Sequence, residues 1–295
     1  MSVEIVHTIA GARGAVAGFR GAGKIIGLVP TMGALHAGHG RLIETARAEC
    51  GAVAVSTFVN PIQFDRADDY ERYPRTLASD AGFAEARGAD LVFAPEVAEM
   101  YPRRQRAYVD VEVLTDNLCG RFRPGHFRGV ATVVTKLFNL VQPDLAFFGQ
   151  KDLQQTSIIR RVVKDLNLPV DILVAPTVRE PDGLALSSRN AYLGPKARQL
   201  ALGISRGLFA AERRFQEGER DAGALMATVH QELQGLDAIQ YCEAVDPLTM
   251  DALAGAITRP AALCVAVLLD GTRLIDNVLL SPSGEAAQFI SHLAS

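Results

Sequence analysis

Five short stretches of this sequence are dominated by apolar residues and do not alternate with polar ones. They are IIGLVPTM at 25–32, AVAVSTFV at 52–59, ADLVFAP at 89–95, LAFFG at 145–149 and DILVAPT at 171–177. Alternation marks a strand with one wet face, whereas a continuous apolar run marks a strand buried on both faces. The segments between them read as helices. GRLIETARAECG places Leu42, Ile43 and Ala46 at helical spacing and closes at Gly51, and ASDAGFAEARG and GVATVVTKLFNLV have the same character. Strands alternating with helices specify a parallel sheet joined by right-handed crossovers. The expected fold class is therefore α/β, built on a parallel sheet.

That pattern stops after about residue 177. Residues 196–235 are helical and polar-faced, and three strand-like pieces follow: AIQYCEAVD, ALCVAVLLD and TRLIDNVLL. This order suggests a smaller α+β unit. A chain of 295 residues accommodates two domains. The expected division is 1–177 for the sheet domain and 178–295 for the smaller domain, with no low-complexity linker and no internal repeat.

Charge and cysteine content narrow the function. The formal net charge is −3, without the basic excess of a nucleic-acid binder. Cys50, Cys119, Cys242 and Cys264 form no C-x-x-C pair and no zinc-spaced cluster, and four thiols in a chain this long suit a reducing cytoplasm better than a disulfide framework. The first 24 residues lack a basic segment followed by an apolar one, so no export signal is expected. No apolar run approaches the roughly 20 residues needed to span a bilayer.

Chemistry-bearing residues gather at five places. In LVPTMGALHAGHGRLIETA, residues 28–46, a strand gives way to a helix through three glycines and two histidines. A helix N-terminus there offers free N–H groups to a phosphate. Gly33, Gly38 and Gly40 allow close backbone approach, and His36 and His39 can donate hydrogen bonds as charge builds. The alternative is two surface histidines at a helix cap. FVNPIQFD (58–65) supplies the neutral amides Asn60 and Gln63, suited to hydroxyls and carboxylates, or else a plain Asn-Pro turn. CGRFRPGHFRG (119–129) crowds Arg121, Arg123, His126 and Arg128 on one loop, either a solvated basic loop or the rim of an anion site. FFGQKDLQQ (147–155) ends a strand at Gly149 and presents Lys151 for phosphate and Asp152 for a ribose hydroxyl, or else exposed charges at a helix start. VREPDGLALSSRNAYL (178–193) carries Ser187, Ser188 and Arg189, a phosphate clamp or a simple interdomain turn. Four of the five sit at the carboxyl ends of expected parallel strands, where α/β proteins bind ligands.

These residues are familiar as a set. PTMGALHAGH resembles the HIGH-type signature of adenylate-forming nucleotidyltransferases, and ALSSRN is similar to their second, KMSKS-like signature. With FVNPIQF, YPRT, RPGHFRGV and FFGQKD in this order, the chain resembles the pantothenate synthetase (pantoate–β-alanine ligase) family from about residue 25 to 195, and more weakly through EAVDP and TRLIDN. The resemblance implies a Rossmann-like parallel-sheet nucleotidyltransferase domain with a smaller C-terminal α+β lid domain, and a two-step reaction. Pantoate's carboxylate would attack the α-phosphorus of ATP, and β-alanine's amine would then attack the pantoyl adenylate. It implies Mg²⁺ carried with ATP as substrate, no tightly bound organic cofactor, small-molecule partners only (no nucleic acid and no membrane), a homodimer and a cytoplasmic location.

Carried over by position, Met32, Gly33, Ala34, Leu35, His36, Ala37, Gly38 and His39 would wrap the nucleotide, with His39 and His36 acting catalytically on the phosphates. Gly149, Gln150, Lys151 and Asp152 would bind ATP, Val178 would meet adenine through its backbone, and Leu186, Ser187, Ser188 and Arg189 would close over the triphosphate. Lys151 and Arg189 are also expected to be catalytic. Gln63, Gln155, Asn60 and His126 would hold pantoate or β-alanine, and Asp80 is the candidate to support the metal. The chain departs from many members at Gln150 (Glu), Ala191 (Gly) and Arg128. Two rivals remain. A related nucleotidyltransferase with a phosphorylated substrate would want more cations where Asn60, Gln63 and Gln155 stand. A non-catalytic binder would lack the histidines or Lys151.

Overall fold

The computed structural model describes residues 2–283, so the last twelve positions of the expected second domain lie outside the described residues. The strands are β1 (Glu4–Val6), β2 (Ile26–Thr31), β3 (Ala52–Thr57), β4 (Leu91–Phe93), β5 (Leu145–Gly149), β6 (Asp171–Ala175), β7 (Ala238–Val245), β8 (Ala261–Leu269) and β9 (Thr272–Leu280). The helices are α1 (Ile9–Gly21), α2 (Ala37–Glu49), α3 (Ala67–Arg72), α4 (Leu77–Glu85), α5 (Val97–Met100), α6 (Leu118–Phe122), α7 (His126–Val141), α8 (Leu153–Asp165), α9 (Pro195–Gln216) and α10 (Ala222–Glu232).

Strands β1 to β6 form one sheet in the order β1-β4-β3-β2-β5-β6, with every pairing parallel. Each of the five apolar runs holds one of β2 to β6. Their composition follows from burial on both faces. Leu28, Ala54, Phe93 and Phe148 pack with α1 and α7 on one side. Val29, Val55, Val92 and Phe147 pack with α2 and α4 on the other. Neighbouring phenylalanines thus serve opposite layers, as the two-residue period of a strand requires. Neither β1 nor α1 was expected from the sequence. Strand β1 is only three residues long on the sheet edge, and α1 is glycine-rich, yet it buries Ala12 and Val16 one turn apart and is capped by Thr8, whose side chain accepts from the Gly11 N–H.

The expected α+β element forms a three-stranded antiparallel sheet, β7-β8-β9. The helical stretch 196–235 is two helices, broken where Gly218 takes φ +109°. One face of this sheet packs on α9 and α10 through Leu263, Val265 and Val278. The other face, through Tyr241, Ala262 and Cys264, packs with Phe127 of α7 and Ile158 of α8. The central strand, AALCVAVLL, is therefore as continuously apolar as the strands of the parallel sheet.

The chain moves outward from β2 through β3 to β4, then returns to place β5 on the other side of β2. Loops leaving β2 and β5 diverge, and a crevice opens at their carboxyl ends. Helix α7 closes the floor. Gly129 lets α7 press against the short 3₁₀ turn Pro61–Gln63, because a Cβ there would lie 2.3 Å from the Ile62 carbonyl oxygen and 2.7 Å from Gln63 Cα. A helix gains about 1 kcal/mol when glycine becomes alanine, but overpacking against rigid backbone costs about 1–3 kcal/mol. Gly129→Ala is expected to lower the free energy of urea unfolding, and a midpoint equal to or above wild type would refute this close approach.

Candidate active site

The chain leaves β2 at Thr31, whose hydroxyl donates to the Ser56 carbonyl (2.5 Å) and accepts from the Gly33 N–H (3.1 Å). Gly33 and Ala34 then take φ of +83° and +51°. This left-handed pair turns two amides inward, where Ala34 N–H and Leu35 N–H donate to the two oxygens of Asp80 at 3.0 and 2.8 Å. Thr76 Oγ1 donates to the same carboxylate at 3.0 Å. Asp80 is 3% exposed and does not line the crevice. Its assignment to metal is therefore corrected: three donors already satisfy it, and it holds the loop that precedes α2.

The histidines follow directly. His36 is the N-cap of α2, and its Nδ1 accepts from the Gly38 N–H (3.1 Å). His39 Nδ1 accepts from the His36 N–H (3.3 Å), and the ring centroids lie 4.1 Å apart. A ring nitrogen that accepts an amide proton carries a lone pair, so each neutral ring has its proton on Nε2. Burial, then the Lys151 charge, lowers the His36 pKa to about 4. Burial, then His36 and Lys151, lowers that of His39 to about 3. Both line the crevice as neutral N–H donors at pH 7.

Across the crevice, β5 ends at Gly149 and a 3₁₀ turn, Gln150–Asp152, leads into α8. Gly149, Lys151, Asp152 and Gln155 line the crevice. Gln150 does not. Its side chain is buried and donates to Asn277 Oδ1 at 3.2 Å, so of the Gly149–Asp152 stretch expected to bind ATP, Gln150 is the residue whose side chain turns away from the crevice. Gln154 also turns away, bridging the Leu114 and Asn117 carbonyls. Asn60 is 1% exposed, and its amide donates to Gln63 Oε1 (2.9 Å) and the Gly129 carbonyl (3.2 Å) while accepting from the Tyr101 hydroxyl (2.8 Å). Asn60 thus orients Gln63 and does not face a ligand, another correction. Gln63 keeps its Nε2–H at the crevice, near Met32 Sδ.

His126 lines the crevice with both ring nitrogens in use. Nδ1 donates to the Gln63 carbonyl at 2.7 Å, and Nε2 accepts from Arg123 at 3.3 Å. Burial, then Arg123, lowers its pKa to about 3, so it is a neutral prop for Gln63 and Arg123 and not a source of positive charge. Arg123, one of several loop arginines in the sequence, is the one that reaches the crevice, paired with Asp65 at 2.9 Å.

The S-S-R-N loop returns over the opening. Ser187 caps a 3₁₀ turn, Asn190 donates to Glu180 (2.7 Å), and Arg189 pairs with Asp69 of α3 (3.0 Å). Val178, Leu186, Ser187, Ser188 and Arg189 line the crevice, as does Met32; the Val178 carbonyl accepts from the Leu186 N–H. Gly38 is at the wall, whereas Gly33, Ala34, Leu35 and Ala37 present no lining surface. Motif reading missed the apolar wall of Val130, Val133, Val134 and Leu137, and also Tyr73. The i, i+3, i+4, i+7 spacing of α7 was the available signal.

The family model for pantoate-beta-alanine ligase matches residues 4–279. The chain belongs to the pantoate-beta-alanine ligase family. Within this family it is 52% identical to pantothenate synthetase 1 of Bradyrhizobium diazoefficiens over 95% of this chain and 99% of that one. It is 52% identical to the pantothenate synthetase of Chloroflexus aggregans over 94% and 100%. Among solved structures, the pantothenate synthetase of Thermus thermophilus superposes with a TM-score of 0.87 at 43% identity, covering 94% of this chain and 99% of that one. The pantoate-beta-alanine ligase of Francisella tularensis, complexed with beta-gamma ATP and beta-alanine, gives 0.76 at 31% identity, covering 94% and 98%.

The three crevice histidines of this pantoate-beta-alanine ligase set a pH dependence. Each holds fewer protons folded than unfolded between its lowered pKa, about 4 for His36 and about 3 for His39 and His126, and the ordinary 6.5. Their contribution to stability is full above about pH 6.5 and is lost progressively as pH falls from there to about 4 for His36 and about 3 for His39 and His126. Urea unfolding at pH 7 and pH 5 is expected to show lower stability at pH 5, with a smaller difference in His126→Gln. Identical pH slopes for the two proteins would contradict a neutral buried His126.

Proposed function

We propose that this ligase condenses (R)-pantoate with β-alanine, using ATP and releasing AMP and pyrophosphate, through an enzyme-bound pantoyl adenylate in this crevice. One observation carries the reading. Two neutral imidazole donors from the end of β2 and Lys151 from the end of β5 line one crevice together with the uncharged amides of Gln63 and Gln155. Groups that stabilise negative charge and uncharged hydrogen-bonding amides thus share one crevice, matching a triphosphate and a hydroxy acid.

In the first step a pantoate carboxylate oxygen bonds to the α-phosphorus and the bond to pyrophosphate breaks. His36 and His39 donate from Nε2 as negative charge builds on the phosphoryl oxygens, and Lys151 and Arg189 balance the leaving pyrophosphate. Gln63 and Gln155 hold pantoate's hydroxyls and carboxylate in line. In the second step the free amine of β-alanine bonds to the acyl carbon, AMP leaves with the acyl oxygen's electron pair, and the amine proton passes to solvent. Arg123, backed by Asp65 and His126, is the receptor for the carboxylate of β-alanine. Asp152, beside Gly149, would take the ribose, and Val178 would meet adenine through its backbone.

Mg²⁺ enters with ATP as part of the substrate. Among the described residues no group of three histidine, cysteine or acidic side chains forms a metal cage, and both oxygens of Asp80 already accept hydrogen bonds from Ala34, Leu35 and Thr76. The fit is to an ion that keeps phosphate and water ligands. The same reading assigns nucleotide and pantoate binding to 1–177 and the covering role to the part from 178 onward, which supplies Arg189. A cytoplasmic setting is supported by four buried free thiols. No helix among the described residues is long and apolar enough to cross a membrane. The homodimer rests on family resemblance, and no nucleic-acid partner is proposed because the net charge is −3.

Purified protein with Mg²⁺, ATP and pantoate, without β-alanine, is expected to exchange labelled pyrophosphate into ATP, and pantoate-independent exchange or none would defeat the adenylate route. His39→Ala is expected to reduce exchange about 10²–10³-fold, the effect of removing one transition-state donor, with the protein still folded by circular dichroism. Gln63→Ala should instead raise the KM for pantoate; an unchanged value would remove Gln63 from the pantoate site.

A further inference from the structure

The turn that carries Lys151 is held from outside the parallel sheet. Asn277 lies on β9, is 3% exposed, and aims its carboxamide at this turn. Its Nδ2 donates to the Gln150 carbonyl and to the Lys151 carbonyl, each at 3.0 Å. Its Oδ1 accepts from Gln150 Nε2 at 3.2 Å. Both amide protons and the oxygen are therefore spent on one three-residue turn, and the Gln150 amide fixes which way the Asn277 carboxamide faces. Carbonyl and N–H point in opposite directions across a trans peptide. Two carbonyls drawn toward β9 turn the N–H groups of Lys151 and Asp152 away from it.

The preceding residue does a parallel job for the other anion-binding segment. Asp276 is buried and pairs with Arg179 through two contacts, 2.6 and 3.0 Å. Arg179 Nη1 also donates to the Gly183 carbonyl, and the guanidinium lies 4.7 Å from the Phe209 ring centroid. Arg179 and Ala185 bridge to form the hairpin that leads into Ser187 and Arg189. Adjacent residues of one strand thus tie the Lys151 turn and the S-S-R-N hairpin to the same antiparallel sheet.

We propose that Asn277 is a positioning residue for adenylation, fixing from β9 the backbone of the turn that aims Lys151 at the nucleotide. The inference rests on the reading of Lys151 as a phosphate ligand. A side chain aimed through four bonds of flexible stem is only as well placed as the Cα that carries it, and a misplacement of about 1 Å at a reacting centre costs on the order of 10²-fold.

The test is a double-mutant cycle on pantoate-dependent ATP–pyrophosphate exchange, comparing wild type, Asn277→Ala, Lys151→Ala and the double variant. Asn277→Ala is expected to reduce exchange by about 10- to 100-fold, to raise the KM for ATP and to leave the KM for pantoate within about twofold. In the Lys151→Ala background the same change is expected to cost less than about threefold, because residues acting as a unit are not additive. Equal losses in both backgrounds, a pantoate KM that rises in step with that for ATP, or near-wild-type exchange in Asn277→Ala would overturn the proposal. Full activity in Lys151→Ala would instead overturn the reading of Lys151 itself, and the positioning role with it. If circular dichroism shows Asn277→Ala unfolded, Asn277→Ser, which keeps one donor, goes through the same cycle with the same criteria and an intermediate loss expected.

Discussion

Strand β2 sits inside a parallel sheet covered on both faces, and β3 and β5 flank it on opposite sides. Nothing polar can be accommodated along its length, so the first place the chain can present chemistry is its carboxyl end. There the loop toward α2 and the turn after β5 part company, and the crevice between them takes the shape of their divergence. The groups at its floor follow from that one constraint. The histidines come from the β2 side, Lys151 and Gln155 from the β5 side, and Gln63 from the end of β3. The apolar wall of α7 is the same surface that covers the sheet, continued past the strand ends.

The loop that supplies the histidines is unusual in that a non-glycine residue, Ala34, shares the left-handed region with Gly33. Such a pair persists only when its surroundings determine it. Asp80 supplies that determination: a carboxylate buried without a cation within the site, satisfied by two amides and a hydroxyl. Charge-assisted hydrogen bonds of this kind are worth more than neutral ones, about 1.5–3 kcal/mol each. The loop geometry then dictates the imidazole tautomers, because amides of that same loop occupy both Nδ1 atoms. A backbone conformation is in this way converted into the placement of two protons.

The architecture was legible in the sequence to the extent that burial on two faces leaves continuous apolar runs, and LAFFG coincides with β5 residue for residue. Strand β1 was not legible, since three residues carry no period. At the site, residues that reach the crevice and residues that merely support it look alike in a one-dimensional string. Asn60, Asp80, Gln150 and Gln155 are all short polar side chains beside motif residues. Only Gln155 faces the crevice, because the partners of the other three lie far away in the chain: Gly129 and Tyr101 for Asn60, Ala34 and Leu35 for Asp80, and Asn277 for Gln150. Long-range satisfaction of a buried polar group is the information a motif does not carry.

The neutrality of the histidines bears on how a site like this separates ground state from transition state. A pair of imidazolium rings beside Lys151 would attract a triphosphate strongly before any bond changes, which tightens binding without raising the rate of the chemical step. Neutral Nε2–H donors contribute less to the bound substrate and more as charge accumulates on the phosphoryl oxygens. The low pKa values of His36 and His39, set by burial first and by Lys151 among the nearby charges, keep the rings in that form. On the proposed reading Lys151 thus has two effects, one on the phosphate it would meet and one on the protonation of its neighbours. Both depend on the distance between the β5 turn and the α2 cap, so the backbone anchors of those two segments, Asn277 and Asp80, matter electrostatically although neither touches the crevice contents.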